Sequence, residues 1–387
     1  MDGVEARSLR PLRVSIVNST RAWGGCEVHT EALGTALAAR GHRVRLVEYG
    51  TAFLDPRTEH EPRSFEVIAG RPAIDFSTMS FPTAVTALRS LRADVLVHPR
   101  PWFPSANWRF DLAARLIGAA YVTIEHSTCE PVSGASIGER IRHRALSVAP
   151  HLVVSVSSFG AARLREVGFG ENSLAVVHNG VDPERFRPDP VARREARGRW
   201  GVGEDDVVFG YAGRFRKEKG LDFALAAFAR ACAAAPGARL VLVGDGAQRH
   251  ALAVAADALG IASRLTFEPF SNEVHRLYPG FDCFVLPSLT EALPLSLLEA
   301  MACGCVGLAT AVGGVPEVLP DATAGWTVPP ADVDALAAAM SRVLSMSSSE
   351  RGSAGARARQ RVIEGFDSRR QMASLVGLLE QRFAKVH

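Results

Sequence analysis

Residues 284–317 read FVLPSLTEALPLSLLEAMACGCVGLATAVGGVPE, and this stretch decides the architecture. The apolar run Cys283 to Leu286 has the length and composition of a buried strand, ended by Pro287 and Ser288. Pro294 sits where a first helical residue belongs, and Leu295, Leu297 and Leu298 give the following helix an apolar face. A second apolar strand runs from Val306 to Ala309. Strand, loop, helix and strand in this order build a parallel sheet.

The two carboxylates of the stretch are placed differently. Glu291 lies in the loop before the helix, and Glu299 about one and a half turns inside it. Between them, the N–H groups of Leu295 and Ser296 have no partner within the helix, and the helix dipole adds positive potential at the same point. That is a seat for a phosphate, flanked by two acids that can accept hydroxyl hydrogens. Hydroxyls around a phosphate describe a nucleotide sugar; two ordinary solvated glutamates are the simpler alternative.

The order Glu291, Glu299, Ala300-Met301-Ala302-Cys303-Gly304 and Gly313-Gly314-Val315-Pro316-Glu317 strongly resembles glycosyltransferase family 4. Ala292 stands where that family often has Gly, and Cys305 where it usually has Pro. The resemblance implies an α/β protein of the GT-B fold, two Rossmann-like doubly wound domains facing a central cleft. It implies retaining transfer of a sugar from a nucleotide diphosphate sugar, UDP-linked first and GDP-linked next. The acceptor would be a hydroxyl of a glycan, a lipid-linked sugar or a small metabolite. No cofactor and no metal are expected.

Composition agrees with a soluble two-domain enzyme. At 387 residues, with 47% hydrophobic and 22% charged residues, the chain can bury two cores. The net charge of +3 is too small to argue for nucleic acid. Six cysteines show no metal-ligand spacing and read as buried reduced thiols. No stretch approaches the ~20 apolar residues of a spanning helix, and the first residues carry no apolar core of signal-peptide length. A cytoplasmic enzyme is the expectation, with contact at the inner face of a membrane as an addition. That addition rests on the basic cluster Arg140, Arg142, His143 and Arg144, for which a solvated helix face is the simpler reading.

From the start, Arg13 to Asn18 reads as a strand, 26–40 as a helix and 43–49 as a second strand. The loop between the first two lacks G-x-G-x-x-G, which argues against a dinucleotide cofactor, but carries Gly24-Gly25-Cys26-Glu27. Paired glycines let a ligand approach the backbone closely. The family has a Gly-Gly-x-Glu motif here, which implies donor contact at Gly24 and Gly25. Strand-like runs at 65–69, 94–98, 121–124, 152–156 and 174–177 alternate with helical patterns, again a parallel sheet. The Trp- and Pro-rich run 98–108 fits either an acceptor pocket or a packed loop. Glu125-His126 closes a strand at the end where parallel sheets bind ligands; the resemblance implies that His126 lies close to the reacting sugar.

Asn179-Gly180-Val181-Asp182 matches a family motif at the domain junction, and the polar segment 183–206 reads as the linker and the entry to the second domain. The expected domains are 1–187 and 188–367, with the tail 368–387 returning to the first. In the second, Gly213 to Gly220 (GRFRKEKG) follows a strand, and the resemblance implies that Arg214 and Lys219 hold the diphosphate. It further assigns the ribose to Glu299, sugar hydroxyls to Glu291, and donor contacts to Leu293, Leu295 and Ser296. Glu268-Pro269-Phe270 replaces the usual Gly beside the base, and Pro offers no N–H, so the base stays open. Asp332-Val333-Asp334 imitates a metal-binding Asp-x-Asp, but it opens a helix, where acids are favourable in any case. Two rivals remain: a nucleotide-sugar 2-epimerase on the same fold, and an inactive sugar-nucleotide-binding subunit.

Overall fold

The computed structural model describes residues 10–18, 25–48, 65–68, 80–100, 108–127, 150–323 and 325–384. The chain forms two compact units, 1–178 with 369–387, and 179–368. Gly24, the run 101–107, Cys129 and the basic cluster at Arg140, Arg142 and Arg144 lie outside the described residues.

The first unit contains β1 (Arg13–Asn18), α1 (Gly25–Ala39), β2 (Arg43–Glu48), β3 (Glu66–Ile68), α2 (Phe81–Ser90) and β4 (Val95–Arg100). It continues with α3 (Trp108–Leu116), β5 (Ala120–Glu125), β6 (Leu152–Ser155), α4 (Ser158–Glu166) and β7 (Leu174–Val176). The strands form one parallel sheet in the order β3-β2-β1-β4-β5-β6-β7. Both faces of its central strands are covered, so β4 is buried along its whole length, including His98 and Arg100. The sequence pattern ends that strand two residues early because Pro99 and Arg100 read as a break.

The second unit runs α5 (Pro190–Trp200), β8 (Val207–Ala212), α6 (Leu221–Ala231), β9 (Ala238–Val243), α7 (Arg249–Ala258), β10 (Leu265–Glu268) and β11 (Cys283–Leu286). It goes on with α8 (Leu295–Ala302), β12 (Val306–Thr310), α9 (Val315–Val318), β13 (Gly325–Val328), α10 (Val333–Ser345) and α11 (Ser348–Gly365). Its sheet has the order β10-β9-β8-β11-β12-β13, all parallel. Helix α12 (Ser368–Phe383) closes the described chain.

The segment 183–206 is not a plain linker. Asp189 caps α5 by accepting from the N–H groups of Val191 and Ala192, Pro190 opens the helix, and Gly201 ends it at φ +65°. Trp200 and Arg197 are buried, and the Arg197 guanidinium donates to the carbonyls of Gly203 and Asp206 and pairs with Asp282. The first compact unit therefore ends at 178 rather than 187. Residues 179–187 are tied to the second by Arg359, which donates to the carbonyls of Pro183 and Phe186.

Helix α12 belongs to the first unit from Arg369 onward. Met372, Leu375, Val376 and Leu379 are buried, whereas Leu378 and Phe383 are half-buried. Glu380 pairs with Arg40 at 2.6 Å and accepts from His42 Nε2 at 3.1 Å. His42 Nδ1 accepts from the Leu12 N–H at 3.2 Å, which leaves Nε2 as the donor.

Candidate active site

In both sheets the strand order reverses once, between β1 and β4 and between β8 and β11. Open parallel sheets bind ligands beyond the carboxyl ends of the strands at such a reversal. In the second unit the loops that leave β8 and β11 at that end carry Arg214 and Lys219, and Glu291 and Leu293.

The backbone sews these two loops together. Gly220 has φ +61°, and a Cβ there would lie 2.2 Å from the Pro287 carbonyl oxygen, so only glycine lets the Lys219 loop rest on the strand end. The Leu289 N–H donates to the Glu218 carbonyl at 2.8 Å. Lys219 Nζ donates to Glu291 Oε1 at 2.6 Å, and Ser288 Oγ donates to the same oxygen at 2.6 Å. The Ser288 carbonyl in turn accepts from the Thr310 hydroxyl. Arg214 is exposed and has no ion-pair partner among the described residues; Tyr211 O–H fixes its backbone by donating to its carbonyl at 3.1 Å. Arg216 and Lys217 are exposed, as expected of surface charges.

Helix α8 starts one residue later than the sequence suggests, because Pro294 is its N-cap and not its first residue. Leu295 and Ser296 are half-buried first-turn residues, and Leu297 and Leu298 fill the core. The first-turn N–H groups thus face the same region as the loops. Leu293 is buried, and its carbonyl accepts from Asn179 Nδ2 at 3.1 Å. Glu299 accepts from the Tyr278 hydroxyl at 2.8 Å, and burial raises its pKa.

The Glu268-Pro269-Phe270 turn is explained in part. Glu268 is buried and accepts from Trp200 Nε1 at 3.0 Å and Arg199 at 2.8 Å, so it braces α5. Phe270 beyond it is 64% exposed. Asp332 caps α10 by accepting from the Ala335 N–H at 2.9 Å, and Asp334 pairs with Arg230. Five described cysteines are free and buried.

The first unit gathers a different set. Gly25 opens α1 at the end of the β1 loop, and His126 follows β5 with its N–H bonded to the Arg100 carbonyl at 2.9 Å. His29, one turn into α1, meets His126 edge to face with ring centroids 4.7 Å apart. Burial holds both imidazoles neutral: His29 is pushed down to about 4, and His126 falls well below its usual range, further lowered by His29. His126 Nε2 is buried with no hydrogen-bond partner among the described residues. Behind it, Arg100 pairs with Glu125 at 2.7 Å and Asp111 at 3.4 Å, and Tyr121 O–H donates to Asp111. Sequence reasoning missed His29, Ser288 and Tyr278. Only His29 left a signal, as a polar residue on the inward stripe of a helix.

A pocket of about 490 Å³ lies elsewhere in the second unit, beside Asp282 and Gly304, which precede β11 and β12. It is at the opposite strand ends. Its Arg193 is bound to Asp282, and Arg359 donates to three backbone carbonyls.

Two doubly wound parallel sheets in one chain, with cations, carboxylates and a helix start at a reversal point, define the GT-B class of glycosyltransferase. Solved structures share the fold over nearly the whole chain. Anabaena Alr3699/HepE in complex with UDP and glucose superposes with a TM-score of 0.81 at 17% identity, over 96% of this chain and 100% of that one. Sucrose-phosphate synthase from Thermosynechococcus elongatus gives 0.79 at 22% identity, over 96% and 99%.

Residues 192–361 match the family model "Glycosyl transferases group 1", and residues 23–185 match "Glycosyltransferase Family 4". D-inositol 3-phosphate glycosyltransferase of Mycobacterium ulcerans is 30% identical over 366 residues, 87% of this chain and 77% of that protein. The chain belongs to glycosyltransferase family 4 and is a glycosyltransferase.

Proposed function

We propose that this enzyme transfers a sugar, with retention of anomeric configuration, from a nucleotide diphosphate sugar to an acceptor hydroxyl, without a metal ion. UDP-sugars are the first choice of donor and GDP-sugars the next. The observation that carries the reading is the group of Arg214, Lys219 and the open start of α8 at the β8/β11 reversal, three sources of positive potential for one diphosphate. Lys219 and Arg214 neutralise the departing phosphates, an electrostatic form of catalysis. Glu299 accepts from the ribose hydroxyls, and Glu291, already oriented by Lys219 and Ser288, accepts from hydroxyls of the transferred sugar. Leu293, Leu295 and Ser296 supply backbone contacts to the donor, as do Gly24 and Gly25. Phe270, exposed beside the proline that lacks an N–H, offers a ring face to the base.

In the reaction the C1–O bond to the diphosphate breaks, a C1–O bond to the acceptor forms on the same face, and the acceptor proton passes to the departing phosphate oxygen. Neutral His126 steadies the sugar with a hydrogen bond as positive charge develops at C1. D-inositol 3-phosphate, named for the mycobacterial relatives, is the first acceptor to try, ahead of glycans and lipid-linked sugars.

The test is incubation in excess EDTA with UDP- and GDP-sugars and this acceptor, followed by proton NMR of the first-formed product. Retention without added metal is expected. Inversion, or turnover that needs metal, would overturn the mechanism; absence of both transfer and donor binding would overturn the function.

A further inference from the structure

Glu299 is held by Tyr278, a residue that lies outside the stretch 284–317. Its Oε2 accepts from the Tyr278 hydroxyl at 2.8 Å, and Oε1 has no hydrogen-bond partner among the described residues. Tyr278 is 1% exposed and sits on a turn, 278–280, just before β11. Phe186, Phe281 and Phe284 surround its ring edge to face, with centroids at 6.1, 6.0 and 5.8 Å. The phenol is therefore packed among three aromatic rings and presents one polar atom to the carboxylate. The turn is pinned from behind. Cys305 Sγ donates to the Tyr278 carbonyl at 3.2 Å, a contact that the proline usual at this position cannot make.

We propose that Tyr278 is a positioning residue of the donor site: it fixes the Glu299 carboxylate by one oxygen and keeps the other turned to the nucleoside diphosphate. This rests on the assignment of Glu299 to the ribose. The chemistry has a direction. Burial disfavours the Glu299 carboxylate, and Tyr278 is the hydrogen bond that opposes it. Arg185 helps by charge. Cys303 beside the helix end, Cys305 against Tyr278, Arg359 from α11, which donates to the Ala302 carbonyl, and the Lys219–Glu291 pair in the loop before α8 are further titratable or charged groups near it. Burial pushes the Tyr278 phenol itself well above its usual range, so it remains a donor at any working pH. An ionised carboxylate accepts from the ribose hydroxyls more strongly than the neutral acid, so affinity is full above the Glu299 pKa and falls as pH drops through it. Removing the phenol hydroxyl raises that pKa and moves the fall to higher pH.

The experiment is calorimetric titration with UDP, and with GDP in parallel, from pH 5 to 8. Y278F is expected to bind about tenfold more weakly at neutral pH, the cost of a lost hydrogen bond to a charged group. Its acid limb should stand about one unit higher than that of the wild type. Simple loss of packing would weaken binding equally at all pH and leave the limb in place, which would overturn the inference. E299Q separates the two claims. If it binds as the wild type does, or if neither nucleotide binds the wild type, the ribose assignment fails and this inference with it. If E299Q weakens binding and abolishes the limb while Y278F leaves the limb unmoved, only the role of Tyr278 fails. Should Y278F not fold, 3-fluorotyrosine at position 278, a stronger donor of the same shape, should move the limb to lower pH; an unmoved limb overturns the proposal.

Discussion

The two units repeat one fold and treat charge in opposite ways. At the carboxyl end of β8 and β11 in the second unit, Arg214 is exposed and the half-buried Lys219 and Glu291 are held by short bonds, Lys219 to Glu291 and Ser288 to Glu291. In the first unit, charge is buried and cancelled. Arg100, Glu125 and Asp111 neutralise one another beneath the strand ends, and His29 and His126 are driven to the neutral form. An anion needs exposed cations and N–H groups, whereas a sugar that becomes cationic needs neutral dipoles that do not repel it. The proposed function assigns the first demand to the second unit and the second to His126.

The largest expected consequence is unequal tolerance of acid. Unfolded histidines titrate near 6.5, but burial pushes His29 and His98 in the first unit down to about 4. Between those values the unfolded chain binds protons that the folded unit refuses, so stability falls as pH drops from 6.5 toward 4 and is unaffected above that window. At pH 5 each histidine costs about 2 kcal/mol. Urea titrations read by hydrogen-exchange mass spectrometry should show the first unit losing stability between pH 7 and pH 5 well before the second. His126, also held neutral by burial, adds to the same loss, so His29→Phe should remove about a third of the difference. Equal losses in the two units would break the contrast.

Next in size is the reaction centre. His126→Ala should lower kcat roughly 100-fold while donor Kd changes little, because its interaction is made in the transition state. Since His126 is neutral well below pH 6.5, the wild-type kcat profile should show no step near that pH. A step at 6.5 that disappears in the variant would mean an ionising histidine, and the neutral-dipole account would fall.

Much of this was legible in the chain. The apolar runs gave the strands because parallel strands are covered on both faces, and the positions of Arg214, Lys219 and Glu291 in loops and of Glu299 inside a helix were readable from the pattern. What the sequence hid was long-range. Nothing local says that Tyr278 meets Glu299, 21 residues on, or that Ser288 closes on Glu291. Arg100 falls in the run 98–108, which fits either an acceptor pocket or a packed loop, since a buried guanidinium is unreadable until Glu125 and Asp111 are brought beside it. Helix α5 was masked by its arginines, although Asp189-Pro190 and Gly201 were its caps in plain view.

The paired lysine should be distinguishable from the unpaired arginine. Lys219→Ala should weaken donor binding by about tenfold or more and also lower kcat, since Glu291 loses the bond that orients it. Arg214→Ala should weaken binding without that second effect, because Arg214 holds no ion pair among the described residues. Calorimetry with UDP and steady-state kinetics separate the two. Identical kcat values in the two variants would show that the Lys219–Glu291 pair does not orient the acid.

The smallest effect concerns Asp332, where the sequence imitates a metal motif. The carboxylate accepts from the Ala335 N–H at 2.9 Å and ends an extended residue at φ −100°, the geometry of an N-cap. Its partner in the imitation, Asp334, pairs with Arg230 on α6 instead of converging with it. A cap of this kind is worth about 1 kcal/mol, because one helix N–H loses its acceptor. Asp332→Ala should therefore lower the melting temperature by a few degrees at most, about 2 to 4 °C per kcal/mol for a domain of this size. Asp332→Asn, which keeps a capping oxygen, should restore most of it. Turnover in EDTA should be the same in all three proteins. If Asp332→Asn lost activity while keeping stability, and magnesium rescued the wild type but not the variant, the residue would be a ligand and the metal-free account of the second unit would be wrong.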